Sequence, residues 1–337
     1  MPRGARTLAI PRPDDFHAHL RRGAAMPAYA RREAASFGRA LVMPNTVPPI
    51  ASGVEIEAYR REIAAAAPGL EPLMAFKLVP GMGREAVLGC ARAGAIAGKY
   101  YPAGSTTNAE DGVPEPEDVL EELAAMEGAG MVLSIHPEDP SAPVLEREAA
   151  FLPRVERILA RFPRLRVVLE HLSTRAALDF VRAGPERLAG TVTAHHLLLS
   201  LDDLIGGSLD PHLFCKPVLK PASERDALRD AVFRGEPRLF FGSDTAPHPR
   251  PAKEGRRAAS GIYAAPTALC ALAGLLEEGG ALGALEGFVA GKGAAFYGVT
   301  PPAGRIGLER SPWTVPEELD GAAPLLAGRE LRWRISP

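Results

Sequence analysis

Phe16-His17-Ala18-His19 places two imidazoles at positions i and i+2. Along an extended backbone, side chains two apart project to the same side, so both rings can reach one cation. Such a pair is a weak signal alone and is more often structural. Three further residues strengthen it, because His136, His171 and Asp244 each stand at or just past an apolar run of strand length. Four neutral nitrogens and one carboxylate suit Zn2+ or a similar divalent ion. Lys99, in the run Ala97-Gly98-Lys99-Tyr100-Tyr101, is a sixth candidate. An ammonium has only donors and cannot ligate. A buried lysine that loses its proton can instead react with CO2, giving a carbamate whose two oxygens could bridge two cations. The alternative reading of Lys99 is a side chain that extends from a barrel strand to solvent or pairs with a carboxylate.

These residues meet only if the elements beneath them align. TLAIPRP, RALVMPN, PLMAFKL, GAIAGKYY, MVLSIH, RVVLEH, LAGTVTAH and RLFFGSD read as strands. Helical composition fills the intervals, as at 54–67, 83–93, 116–129, 146–161, 174–182 and 223–234. Strands alternating with helices read as parallel βα units, and eight such units predict an α/β fold of the (β/α)8 TIM-barrel type. His17 and His19 then follow the first strand, Asn45 closes the second and Lys99 lies in the fourth. His136 ends the fifth, His171 the sixth, His195 and His196 the seventh, and Asp244 the eighth. Polar residues at the C-terminal ends of barrel strands converge on one face, where catalysis occurs. No linker or internal repeat divides the chain, so one domain is expected over 1–337, with 300–337 as an extension packed on the barrel.

Composition excludes several other classes. The chain has 337 residues, with 39 basic and 41 acidic side chains and a formal net charge of −2. That balance gives no electrostatic footprint for nucleic acid or an anionic membrane. Cys90, Cys215 and Cys270 are odd in number and far apart, which excludes a disulfide scaffold and a cysteine-built zinc knuckle. No apolar run reaches the ~18 residues of a membrane span, and MPRGARTLAIPRPDD lacks the apolar region of a signal peptide. A soluble, cytoplasmic protein is expected. Of the basic residues only six are Lys, and Asn occurs just twice, at Asn45 and Asn108. Many Arg and few amides fit either a thermophile or a GC-rich genome. Whichever holds, a Lys or Asn within a motif carries added weight.

The blocks PRPDDFHAHLR, ALVMPNTVPP, GKYYPAGSTTN, LSIHPE, LEHLST, AHHLLLS, FCKPVLK, FFGSDTAPH and AAPTAL resemble those of the dihydroorotases, specifically the single-domain bacterial type within the amidohydrolase superfamily. The resemblance runs nearly end to end and closes with LLAGRELRW. It implies zinc-dependent, reversible cyclisation of N-carbamoyl-L-aspartate to L-dihydroorotate in pyrimidine biosynthesis. It also implies two Zn2+ per subunit, bridged by carboxylated Lys99 and a hydroxide, in a homodimer. His17, His19 and Asp244 would bind the more buried zinc, and His136 and His171 the second. Asp244 would also move the proton. Arg21, Asn45 and His248 would hold the substrate carboxylate, and the backbone near Leu219 and Ala265 would read the pyrimidine ring. Thr106 and Thr107 would touch substrate from a lid over 101–114.

Blander readings stand beside these. Arg21-Arg22 could be a solvated face, and 101–114 an ordinary solvated connection. Gly81-Met82-Gly83-Arg84-Glu85-Ala86 fits a dinucleotide fingerprint, but the acidic residue due ~20 positions later is absent, so a tight turn into a helix is preferred. His196 matches a family position near the site, whereas His195 reads as structural. The segment 249–263 lacks the cysteines common in the family. Hydantoinases and allantoinases share the metal set, and Arg21, Asn45 and the threonine loop favour dihydroorotase over them. A mononuclear deaminase has no use for Lys99. An inactive scaffold barrel would have no need of every ligand.

Overall fold

In the computed structural model, which describes residues 7–336, most of the apolar runs become barrel strands. β1 (Thr7–Pro11) lies outside the barrel. β2 (Asp14–Ala18), β3 (Arg39–Val42), β4 (Glu71–Lys77), β5 (Ala95–Tyr100), β6 (Val132–Ile135), β7 (Arg166–Leu169), β8 (Leu188–Val192) and β9 (Leu239–Phe241) form one parallel sheet in chain order. A parallel bridge from Ala18 to Thr245 carries the sheet back to its first strand. The result is a (β/α)8 barrel. Helices cover its outside, among them Met26–Ser36, Gly53–Ala66, Arg147–Arg161, Arg175–Ala183 and Ala268–Glu278. Two of them start where a hydroxyl can cap the first turn: Ser52 accepts from the Glu55 N–H and Thr174 from the Ala177 N–H.

Two expectations are corrected. The run TLAIPRP is not the first barrel strand. Its exposure varies along β1, and it pairs antiparallel with β10 (Arg305–Glu309). The first barrel strand is instead β2, which begins with two aspartates and is buried throughout. Each has strong hydrogen-bond partners there. Asp14 accepts a two-pronged bond from Arg39, at 2.7 and 2.8 Å, and Asp15 accepts the His17 and Ser243 N–H groups at 2.9 and 2.7 Å. The second correction concerns the tandem histidines. β8 ends at Val192, the Thr193 side chain caps a short helix over Ala194–Leu198, and His195 and His196 lie on that helix.

Side-chain alternation sets the layers inside the barrel. Leu41, Met43, Leu73, Ala75, Ala97, Val132, Val168, Ala189 and Phe240 form an apolar cluster, closed by Ala294 and Tyr297. Residues of opposite parity, such as Leu133, Ile135, Val167 and Leu169, join the larger core under the helices. One strand step of two residues leads from the inner apolar layer to a polar one: Met43 to Asn45, Ala75 to Lys77, Ala97 to Lys99, Val132 to Ser134, Val168 to Glu170 and Ala189 to Thr191. A further step along β6 reaches His136. From Phe240 the same walk passes Gly242 to Asp244. A Cβ on Gly242 would stand 2.9 Å from the His17 Cβ and 3.2 Å from the Thr191 Cβ, so this layer has no room for a larger residue there.

After β10, the chain forms β11 (Trp313–Thr314), β12 (Glu330–Leu331) and β13 (Arg334–Ile335). β13 pairs with β10, so the last described residues share a sheet with the first. Trp333 is fully buried and donates its indole N–H to Glu277 on the helix Ala268–Glu278 at 3.1 Å. Residues 1–6 and 337 of the expected single domain lie outside the described residues. No described helix is long and apolar enough to cross a membrane.

Candidate metal centre and substrate pocket

The polar layer leads into a cavity lined by His17, His19, Arg21, Asn45, Tyr101, Thr106, Thr107, His136, His171, Lys216, Asp244, Ala246, Ser260 and Gly261. Lys99 lies below it, fully buried. The sequence-derived histidines, Lys99 and Asp244 therefore do come together at one end of the barrel.

Ring nitrogens face one another here. His17 Nε2 is 3.3 Å from His19 Nε2, and Asp244 Oδ1 is 3.5 and 3.2 Å from those two atoms. One ligand atom from each of the three residues falls within 4.8 Å of the others. His136 Nδ1 and His171 Nε2 are 3.0 Å apart. Clustered nitrogen lone pairs beside a carboxylate are the donor set of a divalent site. Lys99 Nζ and His171 Nδ1 have no hydrogen-bond partner among the described residues. A buried polar atom with no partner is costly, and a carbamate on Lys99 would turn its end into an acceptor group for cations. The residues present thus fit a metal centre.

Carboxylates behind the rings orient them. Glu170 Oε2 lies 2.9 Å from His17 Nδ1, and the same side chain accepts from Ser134 at 2.5 Å and Thr191 at 2.7 Å. Glu138 Oε2 lies 2.9 Å from His136 Nε2, which leaves Nδ1 as the free ring nitrogen. Asp15 sits against Glu33, and burial and their mutual proximity push Glu33 well above the ordinary carboxyl range. Sequence reasoning missed all four carboxylates. Glu170 and Glu138 stand beside or near site histidines in the chain, but Glu170 serves His17 on another strand, which spacing does not reveal.

Electrostatics follow from this packing. Burial pushes the Lys99 amine down to about 8, opposed by Glu170 and Asp244. Burial likewise drives His19 down to about 4 and His171 well below the usual imidazole range. These rings are neutral, as ligands must be. Burial alone would raise Asp244, but the His19 bond and the neighbouring His17 and His19 hold it well below the ordinary range. Three cavity residues also adopt left-handed backbone without being glycine: Arg21 at φ 63°, His171 at φ 42° and Asp244 at φ 47°. Such strain costs about 1–3 kcal/mol each and clusters at functional sites.

Beside these candidate ligands, Arg21 donates to the Pro247 carbonyl at 3.2 Å, and its Nη2 lies 2.8 Å from His248 Nε2. His248 is behind Arg21 rather than on the cavity wall. Asn45 and Asn108 tie the loop 101–114 down: Asn45 Nδ2 donates to the Thr107 carbonyl at 3.0 Å and Asn108 Nδ2 to the Asn45 carbonyl at 2.9 Å. Lys77, fully buried at the end of β4, donates to the Asn108 carbonyl at 2.8 Å and pairs with Asp111. The structure does not bring Leu219 or Ala265 to the cavity wall. Leu219 is fully buried in the core, and both backbone groups of Ala265 are engaged, by Thr245 Oγ1 at 3.1 Å and Ser36 Oγ at 3.2 Å. Lys216 lines the cavity in that region, a residue the sequence reading did not single out.

No family model matches the chain. Whole-length relatives do. The chain is 44% identical over 340 residues to a dihydroorotase of Halorhodospira halophila, covering 98% of this chain and 99% of that one. It is 41% identical over 339 residues to a dihydroorotase of Pseudomonas aeruginosa, with 97% of each covered. Among solved structures, it superposes on dihydroorotase in complex with 5-fluoroorotic acid from Saccharomyces cerevisiae with a TM-score of 0.93 and 31% identity, over 98% of this chain and 99% of that one.

Proposed function

The chain belongs to the dihydroorotase family, and from that premise we propose that its barrel mouth interconverts N-carbamoyl-L-aspartate and L-dihydroorotate on two zinc ions held by His17, His19, His136, His171, Asp244 and carboxylated Lys99. The reaction is that of a hydrolase acting on a cyclic amide, a step of pyrimidine biosynthesis. The observation that carries the metal reading is the convergence at the strand ends of four imidazoles, Asp244 and the Lys99 amine, which has no hydrogen-bond partner among the described residues.

When bound, the cations supply Lewis acidity toward the amide carbonyl and a water that ionises near neutral pH. The chain's own residues do the rest. In ring opening, the water oxygen adds to the carbonyl carbon while Asp244 takes the water proton. Its Oδ1 faces His17 and His19, so Oδ2 is the proton-holding atom. As the ring C–N bond breaks, Asp244 returns that proton to the departing nitrogen. Cyclisation uses the same steps in reverse.

Arg21 clamps the carboxylate that remains outside the ring, and the guanidinium fork fits it in two-pronged fashion. His248 and the Pro247 carbonyl hold Arg21 in place, and burial with the nearby Arg21 charge keeps His248 neutral by pushing it down to about 3. Asn45 lies on the cavity wall with Arg21. Thr106 and Thr107 on the loop 101–114 cover the bound ring and exclude water. That the yeast relative was solved with 5-fluoroorotic acid, a pyrimidine carboxylate, supports a ligand of this chemical class. We take the active form to be a cytoplasmic homodimer, as the family resemblance implies, which sedimentation of the purified chain tests. Elemental analysis tests the metal content, with two zinc per chain expected; a chain purified gently with almost none contradicts it.

A further inference from the structure

A second donor cluster lies outside the cavity, where the helix Ala194–Leu198 meets the segment leading to Pro217. His195, His196 and Cys215 each offer one ligand atom, and the three atoms lie within 4.8 Å of one another. All three residues are buried. His195 is the least explained of them, because neither of its ring nitrogens has a hydrogen-bond partner among the described residues although no part of it reaches solvent. An imidazole so placed carries the desolvation penalty of two polar atoms unless something covers them.

The neighbours already point to one spot. His196 Nε2 lies 3.1 Å from the Pro217 carbonyl oxygen, and Cys215 Sγ lies 3.2 Å from the same oxygen. The His195 ring sits against that of His196, with centroids 4.6 Å apart. Thr193 Oγ1 holds the other nitrogen of His196 at 2.9 Å, the kind of outer contact that orients a metal-binding histidine. Two imidazoles, a thiol and a carbonyl oxygen offer four donors, the number a zinc site takes, and the sulfur selects a soft or borderline cation over Mg2+ or Ca2+.

We propose that His195, His196 and Cys215 form a further metal site, for a thiophilic cation such as Zn2+, that shares no ligand with the His17, His19 and Asp244 cluster. The Pro217 carbonyl is the fourth donor. Binding replaces the Cys215 thiol proton with the cation and releases that proton to solvent, with no change of oxidation state. Burial pushes the metal-free thiol up, so the sulfur stays protonated until a cation displaces the proton. The site clamps the helix after β8 to the segment that places Lys216 on the cavity wall.

The test is cobalt loading of the full chain. The cluster at the barrel mouth contains no sulfur, so a thiolate-to-cobalt charge-transfer band in the near ultraviolet reports on Cys215. The band is expected in the wild type, lost in Cys215→Ser and retained in Cys90→Ser and Cys270→Ser. His195→Gln leaves the thiol in place and should weaken the Co2+ affinity read from that band by roughly tenfold or more. Absence of the band in folded wild-type chain at saturating Co2+, its survival in Cys215→Ser, or unchanged affinity in His195→Gln each overturns the site.

Discussion

Asn45 and Asn108, the only two asparagines in the chain, are joined across the barrel mouth: Asn108 donates its side-chain amide to the Asn45 carbonyl at 2.9 Å. Asn45 in turn donates to the Thr107 carbonyl at 3.0 Å. The end of β3 and the loop 101–114 are thus fastened together beside the two threonines that line the cavity. An amide can donate and accept at once, which suits it to this crossing of two backbones.

Lys77 adds a charged anchor to the same loop through the Asn108 carbonyl and Asp111. Lys77→Met removes those bonds and leaves the proposed metal ligands untouched. A hydrogen bond from a charged group is worth about 1.5–3 kcal/mol, so kcat/KM for L-dihydroorotate should fall by roughly tenfold or more. Steady-state kinetics with parallel metal analysis checks this. Wild-type kinetics in the variant would show that the loop needs no anchor.

Thr106 lines the cavity. Thr106→Ala should raise KM or lower kcat while the unfolding midpoint stays within experimental error. Unchanged kinetics refute its role over the substrate.

Glu170 is the buried acceptor behind His17 and also receives the Ser134 and Thr191 hydroxyls. Glu170→Gln keeps the shape and loses the charge that fixes the ring. Zinc affinity, measured by chelator competition, should drop about 10–100-fold. An unaltered affinity would mean that His17 needs no such support.

Lys253 donates to the Phe214 and Gly261 carbonyls at 2.8 and 2.7 Å, and burial pushes its amine down from 10.5 to about 8. Between those two values the unfolded chain holds a proton at this position that the folded chain has released, so stability rises with pH across the window. Wild type should therefore gain stability over Lys253→Met as pH climbs from about 8 to about 10.5. Paired denaturant titrations measure it, and a flat or falling difference contradicts the assignment.

Much of the barrel is legible in the sequence because buried parallel strands are short apolar runs with little else in them. The runs at RALVMPN, GAIAGKYY and MVLSIH contain β3, β5 and β6. β2 hides because Asp14 and Asp15 look like a turn, and only Arg39, Ser243 and Glu33, far off in the chain, make them acceptable inside a strand. The gathering of His17, His19, His136, His171 and Asp244 is legible since histidines are few in the chain and these fall at strand ends. Lys77 is not, although it lies in PLMAFKL, because its partners sit on a loop whose path no local pattern specifies. The expected backbone contact near Leu219 is hard to read from sequence for a related reason. Backbone contacts depend on the path of an irregular segment, and here that path puts Lys216 on the wall.

The most direct measurement is turnover of L-dihydroorotate beside hydantoin and allantoin, by the wild type and by Lys99→Ala. The proposed bridge lies at the buried Lys99, whose partnerless amine is set beneath four histidines and Asp244. Efficient hydrolysis of L-dihydroorotate in preference to the other two, abolished in a folded Lys99→Ala chain, is the predicted result. No turnover of L-dihydroorotate by metal-loaded wild type, or full activity in Lys99→Ala, would contradict it.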